Sequence, residues 1–269
     1  MVIDFHTHVF PDKIAGRTIE VLEGNSNFKA AIPGTLDALL SSMERNAIDH
    51  SVVLPIATKP SQTASILRFA AEIDKLPNIT SFGSVHPDSD DVKGDIRRIK
   101  EAGLKGIKLH PDYQGFFIDD VKAVRTIALA AEEDLTVIVH AGEDIAFPDV
   151  HHCTPQRIRR ILPDIKGCRF VCAHLGGWRY WDDVERYLMD TDVYIDTCFT
   201  FSWCETEQIV RILKSFNPDR ILFGTDSPWD DQGKAVEQLK STGLPENLLQ
   251  KILHQNAQVL LGMSSALEK

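Results

Sequence analysis

Eight short apolar runs alternate with longer helical stretches along this chain, and that alternation restricts the fold more than any other feature. The runs are VIDFHTH (2–8), HSVVLPI (50–56), ITSFGSV (79–85), LKGIKLH (104–110), LTVIVHA (135–141), CRFVCAH (168–174), DVYIDT (192–197) and RILFGTD (220–226). Val, Ile, Leu and Phe dominate them, as in strands covered on both faces. The stretches 61–76, 91–103, 120–134 and 206–216 repeat apolar residues every three or four positions, which predicts helices. Gly103 marks the end of one of them. Residues 246–262 predict a closing helix. Strand–helix alternation demands parallel pairing through right-handed crossovers. Eight units predict an α/β chain folded as one (β/α)8 barrel with a C-terminal helix, a single domain over 1–269. An open doubly wound sheet is the alternative by count. No GxGxxG or GxxxxGK[ST] loop follows any run, which weakens its nucleotide-binding form. Residues 9–50 exceed the length of one helix. Gly24-Asn25-Ser26-Asn27 and Pro33-Gly34 predict turns there, in a loop over the barrel mouth.

The polar residues fall where these strands end. Strand 1 ends in His6-Thr7-His8, His86 follows strand 3, and strand 4 ends in Lys108-Leu109-His110. His140 ends strand 5, His174 ends strand 6, strand 7 ends near Asp196 and strand 8 ends in Asp226. A barrel gathers those ends on one face, where barrel enzymes do chemistry. His6 and His8 stand two apart on a strand, so both point to one side and can share a metal. HxH alone is a weak signal. His140, His174 and Asp226 strengthen it, because each terminates an apolar run where an unpaired polar group is costly. Convergent His and Asp of this kind mark a metal site.

The totals exclude other classes. A chain of 269 residues buries a large core without a disulfide or a structural metal, so a metal here is expected to serve chemistry. The formal charge of −10 argues against nucleic acid as a partner. The five cysteines form no CxxC pair and read as reduced, packed thiols. There is no signal-peptide pattern and no apolar run of membrane-spanning length, so a cytoplasmic protein with no membrane partner is expected.

The motifs DFHTH (4–8), GIKLHP (106–111), VIVHAG (137–142), CAHLGG (172–177), VYIDT (193–197), ILFGTDSPW (221–229) and Asn256-Ala257 together resemble the amidohydrolase superfamily, specifically its amidohydrolase-2, decarboxylase-like branch. The resemblance spans residues 1–262. It implies that His6, His8, His140 and Asp226 hold a divalent metal, with His174 as a catalytic or second-sphere histidine. In two-metal members His174 is a ligand instead. Lys108 occupies the place of a lysine that is carboxylated and bridges two metals in binuclear members. In the branch most resembled a single metal is usual, and Lys108 then binds an anionic substrate group or pairs with a carboxylate.

Three imidazoles and a carboxylate leave an open position, the composition of a catalytic site. One zinc per chain suits them best, and manganese, iron or cobalt also fit. The expected activity is hydrolysis of an amide, lactone or ester of a small, acid-bearing molecule, with Asp226 and His174 catalytic. The alternative is decarboxylation of a small aromatic or unsaturated acid. His86, His110, Arg179 and Trp178 are candidate substrate contacts, beside Lys108. Tyr180, Trp181, Phe199, Trp203 and Trp229 are further candidates for the pocket wall, or pack the loops. Gly176-Gly177 predicts a sharp turn after strand 6. The His151-His152-Cys153 run reads as a loop. A TatD-type deoxyribonuclease is expected to carry a glutamate motif where this chain reads GIKLHP. A polymerase-and-histidinol-phosphatase-type enzyme needs more histidines and carboxylates, and a non-catalytic relative would have lost Asp226 or His174. Aromatic loops at the mouth would suit a homodimer.

Overall fold

The computed structural model describes residues 1–263; residues 264–269 of the single-domain span lie outside the described residues. Each of the eight apolar runs contains a strand: β1 (Ile3–Thr7), β2 (His50–Val53), β3 (Ile79–Ser81), β4 (Gly106–Leu109), β5 (Thr136–Val139), β6 (Phe170–Cys172), β7 (Tyr194–Asp196) and β8 (Ile221–Leu222). All pairings are parallel, in the orders β1-β2-β3 and β4-β5-β6-β7-β8. Two seams join these sheets. At one, Gly83 bridges to Ile107 and Lys108 N donates to Gly83 O at 2.9 Å. At the other, Thr7 bridges to Ser227, and Phe5 N donates to Phe223 O at 2.8 Å. The result is a closed but distorted (β/α)8 barrel.

The strands are shorter than the apolar runs because the chain leaves the ladder once it must present side chains at the mouth. An apolar cluster of Ile3, Phe5, Val52, Leu54, Phe82, Ile138, Val171 and Leu222 fills the barrel, and Ala257, Leu260 and Leu261 of the closing segment pack against it. A larger cluster lies between the strands and the outer helices. Those helices include Thr63–Ile73, Val92–Glu101, Val121–Glu132 and Thr206–Ser215, inside the four stretches read from periodicity. Gly103 follows the second with φ +84°, a conformation glycine adopts without strain.

One expectation needs correction. Residues 9–50 carry no long loop over the mouth: helices Asp12–Ser26 and Leu36–Arg45 fill the region. The Gly24–Asn27 turn signal is the last turn of the first helix, closed by Asn27 in the left-handed region at φ 52°. The closing helix is present over residues 246–261, with one π turn at Lys251–Gln255 inside it. Among the described residues no helix is long and apolar enough to cross a membrane.

Candidate active site

His6 and His8 reach the mouth by a different route from simple strand alternation. The β1–β2 register slips between Asp4 and Thr7, where β1 carries one residue more than its neighbour. Such a bulge re-aims side chains. Both imidazoles then converge on one carboxylate oxygen, Asp226 Oδ1, with His6 Nε2 at 3.3 Å and His8 Nε2 at 3.1 Å. Asp226 N donates to His6 O at 2.8 Å, so the seam itself fixes this approach. Asp226 (φ 67°) and His174 (φ 59°) are both left-handed, the kind of backbone strain that collects at functional sites.

The outward nitrogens of these rings are already engaged. His6 Nδ1 donates to Asp196 Oδ2 at 2.8 Å, and His8 Nδ1 donates to Leu54 O at 2.8 Å. His140 Nε2 faces Glu143 O at 3.1 Å, and His174 Nδ1 faces Cys198 O at 3.3 Å. A neutral imidazole carries one N–H and one lone pair. With the N–H turned outward on each ring, the lone pairs point inward. His140 Nδ1 and His174 Nε2 then stand 2.8 Å apart, lone pair to lone pair. His6 and His8 likewise aim lone pairs at an ionised carboxylate. A cation beside Asp226 Oδ1 would accept the His6 and His8 lone pairs, while His140 falls with His110 and Asp144 in a neighbouring group of possible ligand atoms. Two ligands bound at about 2.1 Å in tetrahedral geometry lie about 3.4 Å apart, close to the spacing around Asp226 Oδ1.

The electrostatics agree with that donor set. Burial pushes His6 down to about 4, assisted by Lys108 and opposed by Asp196 and Asp226. Burial also lowers His174 and drives His140 well below its ordinary value, the latter aided by His174. Burial alone would raise Asp226, but a hydrogen bond from His8 and positive charge on His6 and His174, when these rings are protonated, outweigh it and hold it at about 2. Asp196 is likewise raised by burial and brought far below the carboxylate range by His6. Burial thus works against charge on His6, His140 and His174, while the two carboxylates stay ionised only with positive charge beside them, the place a cation would fill. Lys108, 1% exposed, has its Nζ 3.1 Å from His6 Nε2, and burial lowers its pKa against the pull of Asp226. Two carboxylates against at most one ammonium leave a buried negative charge that a divalent cation offsets.

These groups form the floor of a cavity of about 560 Å³, within the range of small-molecule sites. His6, His8, Lys108, His110, His140, His174, Trp178 and Asp226 all line it. His110 stacks on His140 with ring centroids 4.3 Å apart. The remaining candidates sit elsewhere. His86 is outside the cavity and its Nδ1 accepts from Asp88 N at 3.1 Å, so it braces a turn. Arg179 is also outside: its Nη1 pairs with Glu143 at 2.8 Å and its guanidinium lies over the Trp178 ring at 4.4 Å. Of the aromatic candidates, Trp178, Phe199 and Trp229 line the cavity; Tyr180, Trp181 and Trp203 do not. Trp181 Nε1 instead donates to His174 O at 3.2 Å. Gly176 takes the sharp turn at φ 87°. Gly142 is demanded by a different contact: a Cβ there would stand 2.2 Å from Trp178 N. The His151–Cys153 segment is a loop, tied to Gly142 by a bridge at Cys153.

Sequence reasoning gave no role to Asp196, Cys198, Glu143 or Asp144. Asp196 does most: Oδ2 orients His6, while Oδ1 accepts from His174 N at 2.9 Å and Cys198 N at 3.2 Å. Its signal was present, an acidic residue ending a buried strand. Cys198 Sγ lies 3.1 Å from His6 Nδ1, and burial raises the thiol well above its ordinary value, so it stays neutral. All five cysteines are free.

The sequence profile of the amidohydrolase family matches residues 3–263. The chain belongs to this family. No curated protein matches it significantly. Among solved structures, an uncharacterized TIM-barrel protein from Bordetella bronchiseptica is similar at 20% identity and TM-score 0.78, over 97% of this chain and 98% of that one. A dihydroxybenzoic acid decarboxylase from Polaromonas sp. JS666, with bound manganese and 2-nitroresorcinol, is similar at 14% identity and TM-score 0.72 over 98% of both chains. A probable 2-pyrone-4,6-dicarboxylic acid hydrolase from Acinetobacter baumannii, with citric acid bound, is similar at 16% identity and TM-score 0.68, over 97% of this chain and 99% of that one. At these identities the likeness speaks for the barrel fold. The chain is thus an enzyme-family barrel with a cluster at its mouth suited to a divalent cation.

Proposed function

We propose that this protein is a metal-dependent hydrolase of a small carbonyl compound, with His6, His8, His140 and Asp226 holding one divalent ion, zinc in the first instance. The carrying observation is the convergence of two inward imidazole nitrogens on the ionised Asp226 Oδ1 at 3.1 and 3.3 Å. A bound divalent ion supplies Lewis acidity towards a carbonyl or carboxylate oxygen and lowers the pKa of water. Asp226, held at about 2, is a proton acceptor throughout the neutral range and delivers that proton to the leaving group. His174 lines the same floor, with its backbone fixed by Asp196 and Trp181, and once its inward Nε2 has taken up a proton it donates a hydrogen bond to the developing oxyanion. Lys108 offers a buried ammonium to an anionic group of the substrate.

A second reading, decarboxylation, has its own support: Phe28, Phe69, Phe199 and Trp229 make the walls apolar, and a poorly solvated carboxylate is released more readily as CO2. Decarboxylases also stand among the similar folds. The test is one substrate panel run on metal-loaded enzyme, with lactones, esters and amides beside hydroxybenzoates. Hydrolysis predicts acid release with one oxygen from labelled water in the product. CO2 release from the benzoates, with a solvent proton replacing the carboxylate on the ring and no hydrolysis in the panel, would replace the first reading by the second.

A further inference from the structure

The cavity is larger and more apolar than its polar floor requires. At about 30 Å³ per water-sized unit, 560 Å³ holds roughly 19 such units, more than a one-ring acid fills. Two helices build the outer part. On Asp12–Ser26, Ile14, Thr18 and Leu22 recur every four residues and all line the cavity. On Thr63–Ile73, Ile66 and Phe69 line it, three residues apart. Phe10 and Phe28 flank the first helix and line it too. None of these apolar residues is buried: Ile14 is 52% exposed, and Phe10, Leu22, Phe28, Ile66 and Phe69 are half-buried. Scattered exposed apolar residues are ordinary, but a set gathered on one concave wall marks a binding surface.

We infer that the substrate is a carbonyl compound or carboxylate carrying an extended apolar chain, with its polar head at the Lys108–Asp226 floor and its chain lying between helices Asp12–Ser26 and Thr63–Ile73. This rests on the reading of the floor as the reacting end. The polarity orients the ligand: Lys108 is the buried cationic group below, while the helix faces above offer Ile14, Leu22, Ile66 and Phe69. Any single-ring acid would leave that upper wall wet.

The test is calorimetric binding of straight-chain carboxylates, from butanoate to decanoate, to the metal-loaded protein, beside turnover of the matching p-nitrophenyl esters. Each methylene buried on the upper wall tightens Kd about three- to fourfold, the equivalent of about 0.8 kcal/mol. Leu22→Asp and Phe69→Asp each flatten the slope across hexanoate to decanoate. A wild-type Kd that does not change with chain length overturns the inference, whatever the variants do and even if short esters are hydrolysed. A clear slope in binding without turnover of any ester, and with no hydrolysis in the lactone and amide panel, keeps the chain assignment and sinks the hydrolase reading instead.

Discussion

At the residue scale the site is a set of imidazoles whose direction is fixed from behind. Asp196 fixes His6 through Nδ1 and holds the left-handed backbone of His174 through its N–H. Partners of this kind change metal affinity without touching the ion. Asp196→Asn keeps the shape but puts an N–H or a neutral oxygen where a carboxylate held His6. It is expected to weaken zinc binding about 10- to 100-fold in a competition with a chromophoric chelator, while the circular dichroism spectrum stays that of the wild type. An unchanged affinity would reduce Asp196 to a packing residue. The strand-end histidines and Asp226 were legible in the sequence because each is a polar stop to an apolar run. The outward partners were not, because Leu54 O, Glu143 O and Cys198 O are backbone groups that no residue type announces. His86 and Arg179 were misplaced for a related reason. Sequence position put them beside the mouth, and local pairing with Asp88 N and Glu143 turned them away from the cavity.

At the element scale the β1–β8 seam carries the geometry. Asp4 is fully buried there, and its oxygens accept from His6 N, Thr225 N, Thr225 Oγ1 and Gln232 Nε2. Asp4→Ala strips four donors of their acceptor and is expected to cost at least about 2 kcal/mol in urea unfolding. Asp4→Asn costs less, since Gln232 Oε1 has no partner and can accept from the new amide once the side chain reorients. Burial raises the Asp4 carboxyl to about 7, against the hydrogen bonds from Gln232 and Thr225. A folded pKa above the unfolded value means the folded chain holds the proton more tightly. Its contribution to stability is complete below about 4 and is lost as pH rises towards 7. Wild type compared with Asp4→Asn in urea titrations at pH 4.5 and 7.5 should therefore show the smaller pH-dependent loss in the variant. A loss of equal size in both would contradict the assignment to Asp4. The eight strands were legible from composition alone. Helix Asp12–Ser26 was not, because its glycine- and asparagine-rich last turn carries the signature of a loop while its lining face, Ile14, Thr18 and Leu22, is too sparse to show as a periodic core stripe.

At the scale of the whole molecule the fold explains how residues 220 positions apart, His6 and Asp226, become hydrogen-bonding neighbours: parallel strands closed by two single-bridge seams bring their C-terminal ends to one rim. Fold class and the gathering of the site were readable because barrel geometry is set by counting units. The reaction was not, because Asp226 and the same floor serve hydrolysis and decarboxylation alike. The decisive test of the central claim is metal content per chain by elemental analysis, on the wild type beside His8→Ala and Asp226→Ala, each loaded with zinc and then dialysed. The account predicts about one ion per chain in the wild type and its loss in both variants. No ion in the wild type under any loading condition, or an ion retained in both variants, would contradict it.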